Sequence, residues 1–195
     1  MSYSSPRVEK ALRARTRAAF GRAALAAALL LAAPSPGAAA PRDALSWHGL
    51  GALRVGMSRR QFDAIGLALE PAGDGAADPS TPTFNWSGCV ELPLRGSPQT
   101  TLMFEDGLLV RIAVTGSQAA TRAGIRVGND AAQVHRAYAR TLESSGQKYD
   151  ERRRNLTLGS RDGRHGFVFV IEDERVVEIR AGLAGAIGHD GGCPC

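Results

Sequence analysis

The chain has 195 residues and a formal net charge of +5, from 24 Lys and Arg against 19 Asp and Glu. That excess belongs to the first 22 residues, which hold six bases and one acid, whereas residues 41–195 carry 18 of each. A nucleic-acid partner needs a basic domain, not a basic leader, so the composition argues against one; the length downstream of the leader fits one domain.

Residues 1–40 follow the order of a secretory signal peptide. Arg7, Lys10, Arg13, Arg15 and Arg17 precede an unbroken apolar run, Ala23 to Ala33, and small residues with Pro34 and Pro36 close the segment. The run falls short of the ~20 apolar residues of a spanning helix. The reading is therefore an exported protein, periplasmic or secreted, with no transmembrane span in the mature chain. Arg outnumbers Lys 22 to 2, as GC-rich bacterial genomes tend to encode.

Two stretches of the mature chain echo each other. Leu53-Arg54-Val55-Gly56-Met57-Ser58 returns as Ile125-Arg126-Val127-Gly128-Asn129-Asp130, and Phe104-Glu105-Asp106-Gly107 returns as Ile171-Glu172-Asp173-Glu174, in the same order. The echo predicts an α+β chain of two tandem repeats, each a short strand and helix followed by a three-stranded antiparallel sheet. The boundaries are 41–118 for repeat one and 119–186 for repeat two, with a Cys-containing tail over 187–195. Each unit opens on a strand, Ala52–Val55 and Gly124–Val127, and a turn glycine. Ser58 with Gln61 forms a capping box, and Asp130 with Gln133 a close variant. Phe62, Ile65 and Leu69 mark one helical face, and Val134, Ala137, Tyr138 and Leu142 the other; Gly66 ends the first helix early. Strands are expected at Trp86 to Leu92 and Asn155 to Leu158. Hairpin turns follow at Glu105-Asp106-Gly107 and Glu172-Asp173-Glu174. In the return strands Val110, Ile112 and Val114 share a buried face, as do Val177, Ile179 and Ala181, leaving Arg111, Glu178 and Arg180 on a wet one. Pro71 to Pro82 and Ser144 to Arg154 read as loops, where binding residues often sit.

The mature chain holds Cys89, Cys193 and Cys195. An oxidising compartment favours a disulfide. Cys89 with Cys193 ties the tail to the first unit, and Cys89 with Cys195 is the alternative. A soft-metal site of His189, Cys193 and Cys195 matches no strong ligand spacing, so no metal or other cofactor is expected.

The motifs Arg54-Val55-Gly56-Met57-Ser58, Phe104-Glu105-Asp106-Gly107, Arg126-Val127-Gly128-Asn129, Lys148-Tyr149-Asp150 and Ile179-Arg180-Ala181-Gly182 resemble bacterial exported proteins of uncharacterised function. Their small α+β repeat is similar to the SmpA/OmlA outer-membrane-assembly lipoproteins, doubled as in the beta-lactamase-inhibitor-protein-like arrangement. The resemblance implies an envelope setting. It lacks the acylated cysteine of the lipoproteins and the aromatic-rich docking sheet of the inhibitors.

No nucleophile elbow, P-loop or zinc helix occurs, and a non-catalytic module is expected. It would engage a protein or an envelope component. A carbohydrate-binding, lectin-like protein is the alternative, with a secreted hydrolase third. The candidate binding residues are Lys148, Tyr149 and Asp150, a cation, an aromatic and a carboxylate in one loop, together with Trp86.

Overall fold

Strand-forming segments dominate the architecture: apolar and β-branched residues such as Phe167-Val168-Phe169-Val170-Ile171 concentrate in the long strands, whereas the helices are short. The computed structural model describes residues 44–71, 73, 76–138, 142–147 and 150–193, all within the unit Ala38–Cys195. The expected signal peptide, Lys148, Tyr149 and Cys195 lie outside the described residues.

A small hairpin comes first, β1 (Gly49–Leu50) and β2 (Leu53–Arg54), followed by helix α1 (Arg59–Ala64). Three strands follow, β3 (Cys89–Leu94), β4 (Ser97–Glu105) and β5 (Leu108–Val114). After helix α2 (Ala131–Tyr138) come β6 (Leu142–Gly146), β7 (Arg153–Gly159), β8 (His165–Glu172) and β9 (Arg175–Leu183), and a last helical turn, α3 (Ala184–Ile187). Among the described residues no helix is long and apolar enough to cross a membrane.

The expected α+β fold of two tandem three-stranded units is overturned. The structure is mostly β, with one seven-stranded antiparallel sheet in the order β3-β4-β5-β9-β8-β7-β6 beside the two-stranded hairpin. The two runs of strands fuse through β5 and β9, where Arg111 faces Gly182 and Val114 faces Ile179. Fusion buries both strands on two sides, which separate small sheets could not do. The segment read as a loop over Ser144 to Arg154 instead contributes β6, paired to β7 from Leu142–Leu158 to Gly146–Arg154. Leu142 is therefore a strand residue and not part of the helical face. Residues 124–127 form no strand. Ile65 is exposed, because α1 stops at Ala64 and Gly66 takes a left-handed φ of 73°.

The echoed segments do share local contacts. Gly56 and Gly128 donate backbone N–H groups to Leu109 and Val176, at 2.7 and 2.8 Å. The first helical N–H groups, of Arg59 and Ala131, go to the hairpin carbonyls of Gly107 and Glu174, both at 2.8 Å, satisfying donors that a helix start leaves unpaired. Ser58 completes its capping box with Gln61. Asp106 and Asp173 both take φ of 47° at the hairpin tips.

A register shift in each hairpin changes which residues face the core. In β4–β5 Met103 pairs with Arg111 and Phe104 with Leu109, so Val110 is the extra residue. In β8–β9 Val177 is extra in the same way. A bulge inserts one residue and inverts the alternation beyond it. Leu109 and Val176 therefore take the core positions expected for Val110 and Val177, beside Ile112, Val114, Ile179 and Ala181. The core lies between this face and α1, α2 and the β1–β2 hairpin. Phe62 of α1 meets Phe104 edge-on at 5.7 Å, and Tyr138 of α2 lies 5.5 Å from Phe169.

The opposite face was expected to be wet. At β5 and β9 it is covered by α3 and the tail, with Arg111 and Arg180 only 2% and 4% exposed. Cys89 and Cys193 form a disulfide there. Both guanidinium groups donate to the His189 carbonyl, at 3.0 and 3.1 Å, and Arg111 also donates to Ala186. Arg111 pairs with Glu91 at 2.7 Å, and Arg180 with Glu178 at 3.0 Å and Asp190 at 3.2 Å. Burial opposes the Arg180 charge, but the two carboxylates outweigh it and its pKa is raised.

Candidate functional site

Of the sequence-derived site residues, Trp86 and Asp150 are among the described ones, and these two lie apart. Trp86 is half-buried against Phe104, ring centroids 5.3 Å apart, with Phe84 at 4.8 Å. The Arg59 guanidinium lies 4.2 Å from its ring centroid, a cation–π contact that covers one side. Asp150 sits in the turn between β6 and β7. It accepts hydrogen bonds from the side chain and backbone N–H of Arg152 and ion-pairs with Arg153 at 3.5 Å. The Arg152 hydrogen bonds hold its carboxyl below the usual range. Trp86 rests on β4 and Asp150 adjoins β7, four strand positions away in the sheet, or ~19 Å at the usual strand spacing.

A different region has the shape of a site. A cleft of about 1020 Å³ opens where the β1–β2 hairpin, the turn after Thr121 and the β7–β8 turn meet. That size is at the upper end for small-ligand pockets. Its apolar wall is built by Leu45, Trp47, Leu158 and Phe167, with the Trp47 and Phe167 rings 5.6 Å apart. Leu45 is anchored by its N–H to the Ala120 carbonyl at 2.8 Å. Tyr138 closes the inner side, donating its hydroxyl to Thr121 Oγ1 at 2.9 Å. Burial pushes that phenol above its ordinary pKa, and the Thr121 contact offsets only part of the rise.

The rim is cationic. Arg54, Arg122 and Arg161 line it, all exposed, together with His48. Arg54 Nη1 donates to the carbonyls of Gly51 and Leu53. Arg122 and Arg161 have no carboxylate within ion-pair distance among the described residues. Asp162 is the one carboxylate lining the cleft among the described residues, and its own turn engages it. The Ser160 hydroxyl donates to it at 2.6 Å and the Arg164 N–H at 3.1 Å; the Ser160 bond is the larger cause of its lowered pKa. Ser160 Oγ also accepts the His165 backbone N–H at 3.0 Å, so this serine is held as a turn residue and no imidazole nitrogen is bonded to it among the described residues. The His48 and His165 rings meet at 4.5 Å beside the rim, and His165 Nδ1 is buried without a partner among the described residues.

Sequence reading missed this cleft. Its residues come from three turns separated by about 70 and 40 positions. The available signal was arginine in turns with no acid three or four residues away, as at Arg122. No protein-family model, curated protein or solved structure matches the chain.

Proposed function

We propose that the protein is an exported, non-catalytic binding module of a bacterial envelope, and that its ligand seats in the cleft between the β1–β2 hairpin and the β7–β8 turn. The observation that carries the reading is the combination of an aromatic wall, Trp47 with Phe167, and rim guanidinium groups that have no carboxylate partner among the described residues. Polar groups converging on a largely apolar concavity are the usual composition of a ligand site. The envelope setting follows from the secretory pattern of residues 1–40.

A carbohydrate ligand is the second reading. It is favoured by Trp47 lying in the same cleft as Asp162, an aromatic face beside a hydrogen-bond acceptor. The test is NMR on the isotope-labelled full chain titrated with fractionated envelope extract. Shifts should concentrate at the Trp47 indole and residues 159–162. Shifts confined to α3, the tail or β6, or no shifts, would refute the cleft as the site.

A further inference from the structure

Resting on that cleft reading, we infer that the ligand presents an oxyanion, a carboxylate or a phosphate, to Arg54, Arg122 and Arg161. Residues 41–195 are formally neutral, with equal numbers of acids and bases, but the pairing is uneven. Arginines of the seven-stranded sheet have carboxylate partners: Arg111 with Glu91, Arg153 with Glu172, Arg154 with Glu174, Arg175 with Asp130, and Arg180 with Glu178 and Asp190. The cleft arginines have none among the described residues. Other arginines without a carboxylate partner among the described residues, such as Arg60 and Arg136 on the helices, do not line the cleft.

Three like charges around one opening repel one another, and an anion seated among them removes that cost. Guanidinium groups offer planar forks that match carboxylate and phosphate oxygens. The apolar wall behind them excludes water and focuses the field at the opening. Asp162 keeps its negative charge, since its hydrogen bonds favour the carboxylate, but one carboxylate against Arg54, Arg122 and Arg161 leaves the rim with a cationic excess.

The test is calorimetric titration of the full chain, disulfide intact, with inorganic phosphate, citrate, glucose 6-phosphate and neutral glucose, read in parallel by the Trp47 indole signal in NMR. The expected result is binding of at least one anionic probe, stronger than glucose, and weakened as salt rises. Arg122→Gln and Arg161→Gln should each weaken it about tenfold, the size of one charge-assisted contact, with an unchanged melting midpoint because both side chains are exposed. Response to phosphate but not citrate assigns a phosphoryl group, and the reverse a carboxylate. If glucose or envelope extract shifts Trp47 while no anion does, the cleft stands as the site and the oxyanion inference fails. If the arginine variants bind the anion as tightly as the parent, the inference also fails. If neither anions, glucose nor extract perturbs the cleft, the binding reading itself falls.

Discussion

Removing the Cys89–Cys193 bridge, by Cys89→Ser with Cys193→Ser, separates what holds the tail from what stabilises the fold. The two cysteines are 104 residues apart. The chain-entropy model gives ~4.7 kcal/mol for a loop of about 100 residues, and measured losses are commonly ~2–4 kcal/mol. The folded state should lose little by comparison, because α3 still buries Ala186 and Ile187. Arg111 and Arg180 also still donate to the tail carbonyl of His189. For a domain of this size each kcal/mol moves the midpoint by ~2–4 °C, so melting should fall by roughly 4–16 °C. Urea titration and calorimetry read the loss, and hydrogen exchange reads the tail. Amides of residues 184–190 should stay protected in the folded double variant. A stability loss below ~1 kcal/mol would refute the loop-closure argument. Free exchange in the tail would show that the bridge, not the arginine pair, docks it.

Phe104→Ala should cost ~3–5 kcal/mol in urea unfolding, since this fully buried ring contacts both Phe62 and Trp86. Gly182→Ala should cost at least ~1–3 kcal/mol, because an added Cβ would sit 2.1 Å from the Val110 carbonyl oxygen at a backbone φ of +154°; a loss under half a kcal/mol would place the β5–β9 junction elsewhere. Arg180→Leu leaves Glu178 and Asp190 half-covered without their cation, and should cost ~3–5 kcal/mol, more than the same change at exposed Arg122. The Asp162 carboxyl should titrate below the ordinary aspartate range by NMR and move upward in Ser160→Ala, which removes the hydroxyl that favours its charged form. As its folded pKa is depressed, the stability it contributes is present above the ordinary carboxylate range and is lost as pH falls through the lowered value.

Local chemistry was legible in the sequence and long-range assembly was not. The Ser58 capping box and the hairpin tips at Asp106 and Asp173 need only neighbours, and they form as their residues require. The cysteines left two pairings open, Cys89 with Cys193 or with Cys195, and the first is the one that forms. The fusion of β5 with β9 joins segments nearly 70 residues apart, and no periodicity within either strand encodes which edge it will meet. Strand β6 carries Ser144, Ser145 and Gly146, a turn-like composition, and forms because it needs to bury only Leu142 at a sheet edge. The bulges at Val110 and Val177 fall where apolar residues stand side by side, Leu108-Leu109-Val110 and Val176-Val177, so alternation could not locate the extra residue.

Arginine is where the sequence misled most, and the reason is physical. A strand arginine flanked by hydrophobic residues reads as a solvent-facing position, because a lone buried guanidinium is too costly. Arg111 and Arg180 escape that cost through Glu91, Glu178 and Asp190 and through tail carbonyls that arrive from 78 and 9 residues away. Their environment depends on the tail, which the strand pattern does not contain. A turn arginine such as Arg122 or Arg161 gives the opposite impression: it looks like ordinary solvated charge until the fold brings it beside Arg54 and an aromatic wall. Residue type therefore did not separate structural from available arginines. Lack of a carboxylate partner among the described residues, taken together with a place on the cleft, does, and the two criteria pick out Arg54, Arg122 and Arg161 rather than the turn of Asp150, which is already paired with Arg152 and Arg153.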